Sequence, residues 1–279
     1  ILGRLAGPDA VRFDPFTRVA HATDASDWRL HLPVAVVLPD REEAVAPLLA
    51  ALADEGLQVV PRGGGTGLTG GAVPLASNTV VLNTERLDHL RGVGHRDHPL
   101  PDGRVCTIAV LEAEAGVITE QAMAAAEAEG WVFATDPTSA WASTLGGNIA
   151  ENAGGKACVR WGTCLDNLLD WRLALPSGRW IRIHRTDHPL RKILPEDPVT
   201  FEVRDESGAT LRTLRFQGGE LRQPGLWKDI TWKALGGLPG IQKEGTDGVI
   251  TSATFLLHRA YPLTRTLCLE FFGRDMREA

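Results

Sequence analysis

Pro61-Arg62-Gly63-Gly64-Gly65-Thr66-Gly67-Leu68-Thr69-Gly70-Gly71 is the stretch on which the reading of this 279-residue chain turns. Residues without a Cβ let the backbone turn sharply and gather several N–H groups near one point. Successive N–H groups facing one concavity form an anion site, and a pyrophosphate suits that chemistry. Thr66 and Thr69 add hydroxyl donors, and Arg62 adds positive charge. Three other readings compete. Gly65, Gly67 and Gly70 fit the glycine spacing of a dinucleotide fold, but that site needs a helix directly after the loop. Here Ala72-Val73-Pro74 leads to another strand instead. A Walker loop needs a Lys before its closing Ser or Thr, and none is present. A plain surface turn would leave glycines 63, 64, 65, 67, 70 and 71 without purpose.

Upstream of the loop, Val34 to Leu38 reads as a strand ended by Pro39. Asp40 and Glu43 stand at capping-box spacing. Ala44, Val45, Leu48, Leu49 and Leu52 then repeat at helical spacing, with Pro47 predicting a kink or a later start. Leu57 to Val60 is the strand that feeds the loop. Downstream, Thr79 to Asn83 and Val105 to Val110 read as strands on either side of a polar turn region, Gly92 to Gly103. Val117 to Glu129 is an alanine-rich helix closed by Gly130.

A second small-residue segment follows. Asp136-Pro137-Thr138-Ser139 leads into Leu145-Gly146-Gly147-Asn148-Ile149-Ala150-Glu151-Asn152-Ala153-Gly154-Gly155. Small residues allow a flat or extended ligand to approach, and Asn148 and Asn152 carry amides able to hydrogen-bond it. Alone, the segment is equally a capped short helix between loops. Paired with the first loop, it points to one elongated ligand touching two lobes. Beyond it, hairpins are expected around Pro176-Ser177-Gly178 and Glu206-Ser207-Gly208. Further strands are expected at Val249 to His258 and Thr266 to Phe272.

A net charge of −6 argues against nucleic acid or an anionic membrane as the main partner. No apolar run approaches the length of a membrane span. The start, Ile1-Leu2-Gly3-Arg4, lacks the pattern of a secretory signal and lacks an initiator Met, so the chain reads as a piece of a larger protein. Cys106, Cys158, Cys164 and Cys268 show no CxxC spacing, so no metal site is expected. Reduced thiols and a cytoplasmic location are the simplest reading. His95, His98, His184 and His188 fall in polar turns and read as solvated residues. No catalytic residue can be assigned.

With these motifs in hand, the sequence resembles the FAD-binding domain of the vanillyl-alcohol-oxidase (PCMH-type) superfamily, in the branch of the glycolate oxidase FAD subunit and D-lactate dehydrogenases. The resemblance is carried by Pro61 to Gly71, Asp136 to Ser139, Gly146 to Gly155, Trp161-Gly162-Thr163 and Glu244-Gly245-Thr246-Asp247-Gly248-Val249-Ile250, in the family's order and near its spacing. It implies an α+β fold of two lobes with FAD in the groove between them. The first loop would hold the pyrophosphate, and the second segment would line the flavin and ribityl region. Glu244, Gly248 and Ile250 would close the nucleotide end. No His lies in the first loop, so the FAD is expected to be non-covalent.

The resemblance also implies an N-terminal extension (1–31), a first lobe (32–110), and a second lobe (111–262) with an insertion at about 185–235. Residues 263–279 would begin a truncated substrate domain. The insertion, with Trp227, Lys228 and Trp232, reads equally as a docking surface or an inert addition. By resemblance, the whole protein would oxidise a small 2-hydroxy acid of the D-lactate or glycolate type. Electrons would pass to an iron–sulfur domain or subunit or a quinone-linked acceptor, peripheral to the inner membrane. The alternatives are an FAD electron-relay subunit without its own substrate site, and a non-redox nucleotide-binding module.

Overall fold

Thr79–Asn83 is buried along its whole length, the pattern of a central parallel strand covered on both faces. Around it the computed structural model, which describes residues 2–7, 9–225, 230–232 and 234–272, builds the first lobe. Helix α1 (Leu2–Ala6), strand β1 (Val11–Arg12), helix α2 (Pro15–Ala20) and strand β2 (Ala35–Val37) come first. A 3₁₀ turn at Glu42–Ala44 then leads into α3 (Val45–Asp54), followed by β3 (Gln58–Arg62) and β4 (Thr79–Asn83). The sheet order is β1-β2-β4-β3, with β2, β4 and β3 parallel and β1 an antiparallel edge. Thus residues expected to be a mere extension supply a strand to this sheet.

Pro47 sits in the first turn of α3, where its missing N–H costs no hydrogen bond. The helix accordingly starts late, as the proline predicts. The expected capping by Asp40 does not occur: the 3₁₀ turn intervenes, and α3 has no side-chain cap.

The second lobe is built on seven strands. In chain order come β5 (Leu90–Pro99), β6 (Val105–Glu114), α4 (Thr119–Ala128), β7 (Trp131–Val132), α5 (Leu145–Glu151), α6 (Cys158–Trp161) and α7 (Cys164–Asn167). Then follow β8 (Leu168–Ala174), β9 (Trp180–Arg185), β10 (Pro198–Arg204), β11 (Thr210–Gln217), α8 (Gly218–Leu221), β12 (Arg222–Gln223) and β13 (Ile230–Thr231). A 3₁₀ turn (Leu235–Gly237), β14 (Val249–Leu256) and β15 (His258–Arg259) complete the set. The large sheet runs β11-β10-β9-β8-β14-β6-β5. Its core packs Leu111, Leu173, Ile183, Phe201 and Phe255 against Ala122 and Ala126 of α4 and Leu145 and Ile149 of α5. A separate cluster ties the lobes: Val45, Ala46 and Leu49 of α3 meet Ala174, Trp180 and Val249.

Several expectations need correction. Gly92 to Gly103 is mostly strand: β5 pairs with β6 from Leu90 to Pro99 and tightens only at the turn before Val105. The expected lobe boundary at 110 therefore falls inside β6, and sheet membership places 90–114 with the second lobe. Both hairpins form, with Gly178 and Gly208 at positive φ (+78° and +86°) in their turns. The second hairpin extends the large sheet, and Val199, Phe201, Val203 and Leu214 of it enter the core. β14 ends at Leu256, and His258 pairs with β7 instead. Thr266 to Phe272 is not a strand: it is exposed and without a ladder partner among the described residues. Trp227, Lys228 and 273–279 lie outside the described residues; Trp232 is exposed and its indole donates to Gly219 O at 3.2 Å.

The histidine reading also changes. His98 and His188 are fully buried, because β5 and the segment after β9 turn them inward. Burial, with Arg96 nearby, lowers His98 to about 4, and burial holds His188 well below the ordinary imidazole value.

Candidate functional site

The glycine loop leaves the C-terminal end of β3 and reaches β4 without an intervening helix. Parallel strands deliver their loops to one edge of the sheet, so this loop faces the second lobe. There it meets the segment that leads into α5. A Cβ on Gly63 would collide with Thr144 Oγ1, and one on Gly64 with the carbonyl of Ala142. Gly65 has φ +65°, and a Cβ there would strike the Arg62 guanidinium. These glycines thus serve a fit between lobes as well as a turn.

The loop's backbone is otherwise unspent. Among the described residues, no backbone N–H from Gly63 to Ala72 finds an acceptor. Buried or half-buried donors are ordinarily paired, so a consecutive run of free N–H groups at a cleft is the mark of an anion cradle.

The cleft holds about 1140 Å³ of empty space, counted out to its mouth. It brings together four of the motifs. Pro61 to Leu68 form one wall; Pro137, Ser139, Gly146, Gly147, Asn148 and Ala153 form the opposite wall; Glu244, Gly248 and Ile250 close one end. Arg62 is the only cation among the described lining residues, facing Asp24, Glu151 and Glu244. Burial pulls the Arg62 pKa down, while Glu85 and Asp24 pull it back up.

Other expected residues stand behind the walls. Thr69 donates to Glu244 Oε2 at 3.1 Å, and Gly70 (φ +83°) lies against Trp28. Asp136 accepts from Ala157 N at 3.0 and 3.1 Å through its two oxygens, and burial raises its pKa. Gly155 packs so closely on Asp136 that no Cβ fits, and Gly154 lies against Cys158 and Thr163. Thr138 is not in the cleft lining. Asn148 lines the cleft, yet its amide donates to Thr119 Oγ1 at 2.7 Å. Asn152 caps α5 in the left-handed region, donating to Gln242 Oε1 and accepting from Leu165 N, both at 2.9 Å. Both asparagine amides are therefore engaged inside the lobe.

Sequence reasoning missed Asp24, Thr84, Ser143, Thr144, Glu151 and Gly245, which share the lining. The only signal for Asp24 was an Asp-x-Ser turn pattern, far from the glycine loop in sequence. Glu151 and Gly245 lie inside the quoted motifs, Ser143 and Thr144 just before one of them, and Thr84 just after β4.

Residues 33–184 match the family described as FAD binding domain. The chain is 28% identical over 179 residues to the glycolate oxidase subunit GlcD of Bacillus subtilis, covering 64% of this chain and 36% of that protein. It is 34% identical over 175 residues to a D-lactate dehydrogenase of Archaeoglobus fulgidus, covering 63% and 35%. It thus spans about a third of the length of these curated relatives. Among solved structures, an alkyldihydroxyacetonephosphate synthase superposes with a TM-score of 0.61 at 21% identity, over 90% of this chain and 38% of that one, which shows the fold alone.

Proposed function

Because the chain belongs to the FAD binding domain family, we propose that its cleft holds non-covalent FAD for a dehydrogenase or oxidase acting on a small 2-hydroxy acid. The observation that carries the reading is the run of N–H groups from Gly63 to Leu68, which find no acceptor among the described residues and line a cleft between two lobes. The diphosphate would lie on that run, with Arg62 beneath it supplying charge. The wall formed by Pro137, Ser139, Gly146, Gly147 and Ala153 is small and mostly apolar, which suits a flat ring. Bound flavin would supply the redox chemistry, accepting two electrons from the hydroxy acid and releasing them to an iron–sulfur or quinone-linked acceptor.

This chain's share is binding and orientation: it fixes the diphosphate, shapes the flavin wall and keeps water from it. No catalytic acid or base is assigned within it. The 2-hydroxy-acid class is supported by the relatives named glycolate oxidase subunit and D-lactate dehydrogenase.

The test is a visible spectrum of the chain after incubation with FAD and removal of free flavin. Retained bands of oxidised flavin, lost in Gly65→Val and Gly67→Val variants, are the expected result. A chain that retains no flavin, alone or within its full-length protein, overturns the reading in favour of a non-redox nucleotide-binding module.

A further inference from the structure

Thr23-Asp24-Ala25-Ser26 packs against the glycine loop from more than thirty-five residues upstream, a distance in sequence spanned by the 2.5 Å bond from Arg62 Nη1 to Thr23 O (|i−j| = 39). The turn is built by its own side chain. Ser26 N donates to Asp24 Oδ1 at 2.8 Å, the Ser26 hydroxyl donates to the same oxygen, and Asp27 N donates to Asp24 O at 3.2 Å. This is an Asx turn, in which a carboxylate stands in for a backbone acceptor. Asp24 is only 6% exposed, an unusual depth for a carboxylate, and it lines the cleft.

The turn presents two backbone groups to the loop. Ala25 N donates to Gly65 O at 3.1 Å, and Thr23 O accepts from Arg62. A peptide unit is planar, with its C=O and N–H opposed. Drawing the Gly65 carbonyl onto Ala25 therefore turns the N–H of Thr66 away from the turn, and Thr66 is a lining residue whose N–H has no acceptor among the described residues. Through Thr23, the same turn pins Arg62, the one cation among the described lining residues, against Gly65.

Resting on the FAD reading above, we propose that the Thr23–Ser26 turn is a working part of the cofactor site. Asp24 is a positioning residue: it holds the turn, the turn holds the Gly65–Thr66 peptide, and that peptide offers its N–H to a dinucleotide diphosphate.

The test is FAD titration, followed by flavin fluorescence, of the whole chain and three variants, with melting of each ligand-free protein. Asp24→Ala removes the turn's acceptor. Ala25→Pro removes the single N–H that holds Gly65 O. Asp24→Asn keeps an acceptor oxygen for Ser26 N. Asp24→Ala and Ala25→Pro are expected to weaken FAD binding about tenfold, the size of one lost hydrogen bond of this kind. Asp24→Asn is expected to stay within about threefold of the unmodified chain, because it still makes the turn. Undiminished binding by Ala25→Pro overturns the proposal, as does an Asp24→Asn protein as weak as Asp24→Ala, which would put charge in place of the turn. Should Asp24→Ala fail to fold, Ala25→Pro and Asp24→Asn decide the matter by the same criteria. An unmodified chain that binds no FAD fails the cofactor reading itself, a result distinct from any of these.

Discussion

Gly64 shows how much one hydrogen atom in place of a methyl can decide. Its missing Cβ is the space occupied by the Ala142 carbonyl, so Gly64→Ala must push the two walls of the cleft apart. The expected outcome is a loss of FAD affinity of about tenfold or more, in line with the cost of overpacking a fitted contact. Gly94→Ala is the matched control, since nothing lies within 4 Å of its added carbon; equal losses in both variants would refute the steric account.

Glu42 is a second deciding residue. It is 5% exposed and reaches from the first lobe to accept from the hydroxyls of Thr251 and Ser252, both at 2.6 Å, with Arg91 and Arg172 each 3.4 Å away. Burial alone would raise its pKa, but those hydroxyls and Arg172 more than offset it, so the carboxyl is held below its ordinary value. A depressed folded pKa gives stability that is present above the unfolded value of 4.5 and lost as pH falls through the folded one. Glu42→Ala should cost about 2 kcal/mol in chemical denaturation at neutral pH, since it leaves the buried Thr251 hydroxyl without its acceptor. A cost below about 1 kcal/mol would show that the bridge between lobes is solvated.

At the scale of elements, the sequence was most legible where local chemistry decides alone. Thr79–Asn83, both hairpins and the Gly130 stop are where periodicity and turn residues put them. β5 was not legible, because Leu90 to Pro99 carries Arg, Gly, His and Asp and looks like a loop until β6 supplies its ladder. Sheet pairing overrode composition there. The walls of the cleft were legible because glycine clusters are costly elsewhere. Asp24 and Thr84 were not, because each reaches the site only through tertiary packing.

The misread histidines, His98 and His188, belong to the same scale, being buried by β5 and by the segment after β9; His258 is buried likewise. His258 on β15 pairs with Asn167 Oδ1 at 2.7 Å and stacks on Trp161 at 5.4 Å; burial, with Arg160 nearby, lowers it to about 4. A histidine whose folded pKa lies below its unfolded 6.5 adds stability above 6.5 that is lost as pH falls from 6.5 towards 4. The effect is on the order of 3 kcal/mol for His258. Melting temperature should fall steeply across that window, and His258→Gln should flatten the fall. An unchanged slope in the variant would assign the loss to other groups.

For the whole molecule, a cofactor held between two lobes links binding to global stability. Saturating FAD at about a hundredfold its dissociation constant should add about 2.7 kcal/mol. For a chain of this size that is roughly 5–10 °C in melting temperature. Calorimetry with and without FAD checks it, and no shift at saturation would mean that FAD does not bind the folded chain in preference to the unfolded one. Among the described residues no helix is long and apolar enough to cross a membrane.

The order of strands in the large sheet has a consequence for biosynthesis. β14 lies between β8 and β6, yet β6 is complete by residue 114 and β8 by residue 174, while β14 ends at 256. On the ribosome, therefore, two neighbours of a missing strand emerge long before the strand that separates them, each with an unpaired edge. The nascent chain must be kept from zipping those edges together wrongly. Gly248 and Ile250, part of the cradle's last wall, arrive with the same late strand. Chains arrested before residue 248 should thus be unable to retain FAD, and cofactor capture becomes an event at the close of this domain's translation rather than a template for its beginning.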